Sequence, residues 1–243
     1  MTLKTSSLLL IFFFLAGLTT ACKKQVSVLV VVGGHEYDTT EFFEAFHSLE
    51  DITYDSISQP DAMKLLASDQ ALDYDVLVFY DFIPDMDLKD STVFLYLADR
   101  GQSMLFLHHS ICTFQRWDGF ADLVGGRYYM PEFGADSLLW SDYKHDIELE
   151  VNITDSNHPV TQGIEDFTIM DEGYSNVGYM SGIKPLLETD HPFCSPVNGW
   201  VNTYEQSTIV YLMLGHDRHA YSNEAFQKLL VNSIHWLSIK QTQ

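Results

Sequence analysis

The sequence predicts an α/β fold, a doubly wound and mostly parallel sheet with inserted loops and short strands. Three observations carry that prediction. Val28–Val32, Met104–Leu107 and Ile209–Leu214 are continuous apolar runs bounded by turn residues, as in strands covered on both faces. Between them, in the first half of the chain, segments with helical periodicity alternate with strand-like segments, the rhythm of βαβ units. Each of the three runs then ends in histidine: Gly33-Gly34-His35, His108-His109-Ser110 and Gly215-His216-Asp217. In an open α/β sheet, ligands bind beyond the carboxyl ends of the strands. These distant histidines are therefore expected at one edge, where they can exchange protons or hold metal near neutral pH.

In chain order, Val26–Val32 reads as the first strand. Asp38 and Glu41 form a candidate capping box for a helix that presents Phe42, Phe43, Phe46 and Leu49 on one face. Ile52–Ile57 reads as the second strand, and Pro60 starts a short helix carrying Met63, Leu65 and Leu66. Val76–Tyr80 is a third apolar run ending at Asp81. Ser91–Asp99 is helical in character, Met104–Leu107 is the fourth strand, and Trp117, Phe120, Ala121 and Val124 recur at helical spacing.

From Gly125 to Glu205 the rhythm breaks. Only Ile147–Ile153 alternates cleanly, and the remainder reads as loops and short strands inserted into the domain. Ile209–Leu214 returns to a buried strand, and Ser222 or Asn223 caps a last helix with Phe226, Leu229, Leu230, Ile234 and Leu237 on its packed face. Residues 25–243 thus form one domain, without internal repeat or linker.

The first residues read as an export signal. One lysine precedes the apolar run Leu8–Leu18, and Thr19-Thr20-Ala21 are small residues before Cys22, so residues 1–21 are expected to be a signal peptide. Leu18-Thr19-Thr20-Ala21-Cys22 resembles a bacterial lipoprotein processing site, although Thr19 stands where a branched apolar residue is usual. That implies lipidation of Cys22 and a protein of the bacterial periplasm or cell surface, attached to the membrane through its lipid anchor only. The net charge of −21, from 34 acids against 13 bases, argues against nucleic acid and anionic lipid surfaces as partners. Cys112 and Cys194 are then the remaining thiols. With no Cys-x-x-Cys, neither a thioredoxin-like redox site nor a zinc knuckle is indicated.

The strand-end motifs exclude several chemistries. Gly33-Gly34-His35 is neither a Gly-x-Gly-x-x-Gly fingerprint nor a phosphate loop, so no nucleotide cofactor is indicated. His108-His109-Ser110 lies where an α/β hydrolase places its nucleophile, yet Gly-x-Ser-x-Gly is missing. Adjacent residues on a strand face opposite ways, so both histidines enter one site only if the turn begins there. By composition alone, His158-Pro159 and Asp171-Glu172-Gly173 read as solvated loops.

Together these segments resemble the trehalose-utilisation, or ThuA-like, family, a branch of the class I glutamine amidotransferase-like fold. The matching segments are Gly33-Gly34-His35; Gly101 through His108-His109, with Trp117, Phe120, Leu123, Gly125 and Gly126 behind them; His158-Pro159-Val160-Thr161-Gln162-Gly163-Ile164; Asp171-Glu172-Gly173-Tyr174; and Gly215-His216 followed by Trp236. The resemblance implies a flavodoxin-like sheet, carbohydrate metabolism, a small carbohydrate ligand such as a 3-keto-glycoside, and a sugar oxidoreductase acting in the same pathway. It adds Glu172 and Tyr174 to the candidate site. Amidotransferase relatives carry a cysteine where His108 stands, so glutaminase chemistry is disfavoured.

The expected catalytic residues are Glu172, His108, His109 and Tyr174. Trp117, Gly34 and Asp81 are the expected substrate contacts. His35, His109 and His216 are the candidate ligands for a zinc-like divalent metal. A metal-free histidine acid–base site is the competing expectation, and a non-catalytic sugar-binding lipoprotein is the alternative from another class.

Overall fold

The computed structural model describes residues 25–47, 49 and 51–239. The signal peptide over residues 1–21 and the lipidation of Cys22 lie outside the described residues. No helix among the described residues is long and apolar enough to cross a membrane.

The first half alternates as expected: β1 (Val26–Gly33), α1 (Thr39–His47), β2 (Ile52–Ser58), α2 (Ala62–Leu66), β3 (Val76–Asp81), α3 (Ser91–Asp99), β4 (Met104–Leu107) and α4 (Asp118–Val124). Every residue of β3 and of β4 is buried, which is why these strands are continuous apolar runs. Between β4 and α4 a 3-10 turn spans His108–Cys112. The Asp38 carboxylate accepts from the Arg218 N–H at 3.1 Å, tying the start of α1 to the far end of the chain.

The second half contains β5 (Gly126–Arg127), β6 (Asp142–Ile153), β7 (Phe167–Ser175), β8 (Gly178–Tyr179), β9 (Lys184–Glu188), β10 (Val197–Tyr204), β11 (Ser207–Leu212), α5 (Arg218–Tyr221) and α6 (Glu224–Ser238). The segment read from sequence as loops and short strands therefore supplies four strands of the main sheet. Its glycines and polar residues hide them, because β6 faces solvent over its first half and its burial alternates only from Ile147. Asn223 caps α6, accepting from Ala225 N and Phe226 N.

The nine-stranded sheet has the order β2-β1-β3-β4-β11-β10-β9-β6-β7. Neighbours from β2 to β11 are parallel, in the flavodoxin-like order. Beyond β11 the pairings are antiparallel, so β9 and β7 again run with the parallel set while β10 and β6 oppose it. Alternating residues of β1 separate two cores. Val28, Val30 and Val32 pack with Phe42 and Phe46 of α1 and Leu229, Leu230 and Ile234 of α6. Leu29 and Val31 pack on the other face with Leu66 of α2, Phe94 and Leu97 of α3, and Phe120 and Leu123 of α4. Burying each such side chain contributes roughly 1.5–3 kcal/mol, and this double burial pins the register of the parallel strands.

The β6–β7 hairpin curls back over the carboxyl edge of those strands. Its carboxylate Asp171 accepts from Gly215 N at 2.8 Å and His216 N at 2.9 Å, just beyond β11. A third bond, from Glu172 N at 2.8 Å, completes the set. Asp171 is fully buried, and three backbone donors offset the cost of removing its charge from water.

Candidate functional site

The carboxyl ends of β1, β3, β4, β7 and β11 surround a cavity of about 210 Å³. His35 follows β1, Phe82 follows β3, His108 and His109 follow β4, and His216 follows β11; all line it. β6 and β7 add Tyr143, His145, Glu172 and Tyr174, and Tyr128, Met130 and Cys112 complete the wall. It lies at the switch of strand order, where the chain leaves β1 toward one edge of the sheet and β3 toward the other.

His108 occupies the elbow between β4 and the 3-10 turn, with φ of 47°. A left-handed backbone at a non-glycine residue costs about 1–3 kcal/mol and persists only where its surroundings hold it. Here Tyr211 Oη donates to the His108 carbonyl at 2.9 Å, and His108 Nδ1 donates to the Met213 carbonyl at 2.7 Å. That second bond fixes the tautomer of the neutral ring, whose Nε2 lone pair then faces the cavity. Tyr174 Oη lies 3.0 Å from Nε2, and the two rings stack at 5.0 Å. Because the turn begins at His108, both it and His109 enter the cavity.

Glu172 is surrounded by imidazoles. Its Oε1 lies 3.5 Å from His108 Nε2, and its Oε2 lies 2.7 Å from His145 Nδ1 and 3.5 Å from His216 Nδ1. His216 Nδ1 is also 3.2 Å from His108 Nε2. The register of β6 and β7 explains the geometry. Lys144 pairs with Gly173 and Ile147 with Asp171, so His145 and Asp146 together oppose Glu172. The bulge, with Asp146 at φ 53°, re-aims His145 toward the carboxylate. Alternation along β7 then places Glu172 and Tyr174 on the cavity side and Asp171 on the side of the Gly215–His216 turn.

The electrostatics follow from burial and this crowding. Burial pushes the Glu172 carboxyl up, but the close approach of His108 and the charges of His216 and His145 outweigh it and hold it below its ordinary range. Burial depresses His108, yet Glu172 and Asp171 prevail and raise it. His216 is lowered to about 4, by burial and then by repulsion from His108. The cluster therefore favours positive charge on His108 over His216.

His109 is different. Burial, then His108 and His35, push it well below the ordinary imidazole range, so it is neutral. Its ring stacks on His35 at 5.0 Å and tilts against Tyr80 at 4.3 Å. It hydrogen-bonds the Tyr80 backbone, and its buried Nε2 has no partner. A neutral imidazole with one nitrogen bonded to a carbonyl offers a lone pair at the other.

Several sequence expectations need correction. The metal set of His35, His109 and His216 is not the one that converges: His35 and His109 stack on each other, and the atoms within ligand reach belong to His108, Glu172 and His216. Adjacent strand-end positions point differently once the 3-10 turn starts. Trp117 does not line the cavity; it caps the start of α4 and packs on Phe94, Phe114 and Phe120. Asp81 is buried behind the wall, where its carboxylate accepts from Gln59 Nε2 at 2.9 Å, and burial pushes it up to about 6. Gly34 is not among the residues that line the cavity, and a Cβ there would fall 2.0 Å from the Phe82 carbonyl oxygen. His145, Tyr128, Tyr143 and Phe82 were not among the expected residues. His145 precedes the alternating part of β6, and only the bulge brings it to Glu172.

Two further motifs are structural. His158 accepts from Val160 N at 3.2 Å and meets Trp236 edge-on at 4.7 Å, docking its loop onto α6. Cys112 and Cys194 are both free; burial raises the Cys112 thiol well above its ordinary value, which disfavours a thiolate nucleophile.

The profile of the ThuA family, described as trehalose utilisation, matches residues 27–237. The chain belongs to the ThuA family. Among solved structures, it is similar to a ThuA-like protein from Parabacteroides merdae, at 17% identity and a TM-score of 0.73, covering 90% of this chain and 92% of that one. A ThuA-like protein from Bacteroides uniformis aligns at 17% identity and a TM-score of 0.65, covering 89% and 93%. A β-galactosidase from a Bacillus circulans strain aligns at 10% identity and a TM-score of 0.58, over 87% of this chain but 31% of the enzyme. At these identities the ThuA chain shares their fold. No curated protein matches it.

Proposed function

We propose that this ThuA-family protein is an extracytoplasmic, lipid-anchored enzyme acting on a sugar or 3-keto-glycoside by acid–base chemistry. What supports the reading above all is the pairing of two unlike ends in one cavity. At one end the carboxylate–imidazole cluster of Glu172, His108 and His216 is suited to hold an electrophile. At the other, neutral His109 keeps an unpartnered buried lone pair. The His108 and His109 rings are 5.4 Å apart, so one small ring can touch both.

A carbonyl-bearing sugar uses both ends. His109 takes the proton beside the carbonyl, and the C–H electron pair passes into an enediolate whose oxygen the cluster stabilises. Collapse of the enediolate expels the glycosidic oxygen from the next carbon, and that oxygen recovers the proton from His109. Tyr128, Tyr143 and Tyr174 offer ring faces and edges to the sugar. The cavity is smaller than the ~300–1,000 Å³ of drug-sized ligand sites, which suits one ring inside and the leaving group in the mouth near Tyr143. A sugar oxidoreductase would supply the keto group, so the reaction fits between an oxidation and further sugar breakdown.

Incubation with 3-keto-glucosides and their parent disaccharides, followed by chromatography, tests this. Release of the leaving group from the keto form, lost in His109→Ala with the fold retained, is expected. Binding without turnover in every keto-glycoside tried would instead leave the sugar-binding alternative.

A further inference from the structure

We infer that His108 Nε2, His216 Nδ1 and a Glu172 oxygen form a divalent metal site of the zinc type, with its open coordination position facing the cavity. It concerns the cavity of the proposed reaction but does not depend on the substrate being a sugar. His108 and His216 follow the paired strands β4 and β11, the β6–β7 hairpin brings Glu172 to them, and the three ligand atoms lie within 4.8 Å of one another. His108 Nε2 and His216 Nδ1 are 3.2 Å apart, and each lies 3.5 Å from one carboxylate oxygen of Glu172, His108 from Oε1 and His216 from Oε2. Zinc–ligand bonds of 2.0–2.1 Å at tetrahedral angles require ligand separations of about 3.3 Å. At 3.5 Å both carboxylate contacts are longer than hydrogen bonds, which leaves room for an ion between Glu172 and the two imidazoles.

The surroundings are those of metal ligands. The remaining nitrogen of His108 donates to the Met213 carbonyl, which fixes the tautomer that presents Nε2. Glu172 is itself held, by His145 Nδ1 at 2.7 Å. Asp171 holds the backbone N–H of His216 and that of Gly215, so the ligand-bearing turn is rigid. Two imidazoles and one carboxylate leave a tetrahedral zinc with one free position, the pattern of catalytic rather than structural sites. Tyr174 Oη, 3.0 Å from His108 Nε2, borders that position. His35 and His109 lie outside the set, which keeps the His109 lone pair free for a substrate proton or hydroxyl.

The test uses the full chain, stripped with chelator, dialysed and titrated with Zn²⁺ by calorimetry and with Co²⁺ by visible absorption. One equivalent of each ion should bind, and Co²⁺ should give the intense d–d bands of a four-coordinate site. His216→Ala and Glu172→Gln should each lower affinity at least 100-fold. His145→Ala, which frees the carboxylate without removing a ligand, should lower it about 10–100-fold. His47→Ala and His219→Ala, exposed histidines elsewhere, should bind as the parent does. Circular dichroism separates ligand loss from unfolding, and Glu172→Gln keeps the side-chain volume. Absence of stoichiometric binding, or parental affinity in both His216→Ala and Glu172→Gln, overturns the site. Keto-glycoside turnover by a protein that binds no stoichiometric metal overturns the site while leaving the sugar reading intact. Metal binding without any turnover leaves the site and removes the sugar reading.

Discussion

The parallel half of the sheet and the antiparallel extension contribute to the site in different ways. Strands β1, β3, β4 and β11 are buried on both faces and held by two cores, and they deliver His35, Phe82, His108, His109 and His216 at fixed heights along one edge. The β6–β7 hairpin is half-exposed, bulged and curled, and it delivers Glu172, Tyr174, His145 and Tyr143 from above. Apart from the Cys112 thiol, the strand ends of the parallel half present imidazoles and aromatic rings to the cavity. The carboxylate that turns them into a charged site arrives with the hairpin, so a rigid scaffold supplies position and the more adaptable extension supplies the chemistry.

The sharpest way to break this division is Glu172→Gln, which keeps the shape of the hairpin and removes its charge. Turnover of a keto-glycoside should fall at least ~10³-fold, about 4 kcal/mol of transition-state stabilisation, with the thermal midpoint little changed. A small effect would mean that the parallel half suffices.

Next in size is the joint between the halves. Asp171→Ala leaves the N–H groups of Gly215, His216 and Glu172 without their acceptor, and each buried unpaired donor costs about 1–3 kcal/mol. Urea unfolding should show a loss of roughly 3–4 kcal/mol. Activity should fall with it, because the same bonds position His216 and Glu172.

Asp81 probes the parallel half alone. Its folded pKa of about 6 lies above the ordinary carboxylate value, so the native state holds the proton more tightly than the unfolded chain. Its contribution to stability is therefore full below about pH 4 and is lost as pH rises through about 6. Asp81→Asn should remove this slope and stabilise the protein at pH 7.5 by up to about 3 kcal/mol, read as a denaturant midpoint that no longer falls across that window. Activity should not change, since Asp81 does not line the cavity. A loss of turnover in this variant would return Asp81 to the substrate contacts.

The smallest expected effect sharpens the mouth of the site. Tyr143→Ala should raise KM several-fold, about 1 kcal/mol, with kcat nearly unchanged, whereas Trp117→Phe should leave both constants alone and lower stability by about 1 kcal/mol. The reverse outcome would place the sugar on the α4 side.

What was legible in the sequence follows the same division. Apolar runs such as Met104–Leu107 and Val76–Asp81 announce themselves, because a strand buried on both faces tolerates few polar residues. Their order and the helices between them determined the α/β class and the edge on which the histidines gather. The hairpin was not legible. One face of β6 is solvated, and its bulge breaks the alternation that marks a strand, so Asp142–Asp146 carries no local signal. Glu172 entered only through the family resemblance.

By itself, then, the sequence determined the doubly wound framework, the strand-end positions of His35, His108, His109 and His216, and membership of a family. Only the tertiary structure decided which of those histidines act together. His108 joins His216 and Glu172, while His109 turns to His35 and Tyr80, because side-chain direction at the end of β4 is set by the left-handed backbone at His108 and by the hydrogen bonds that hold it. Periodicity can place a residue at an edge, but partners there are chosen by backbone geometry and by long-range contacts such as Asp171 to Gly215, which span dozens of residues and leave no local pattern.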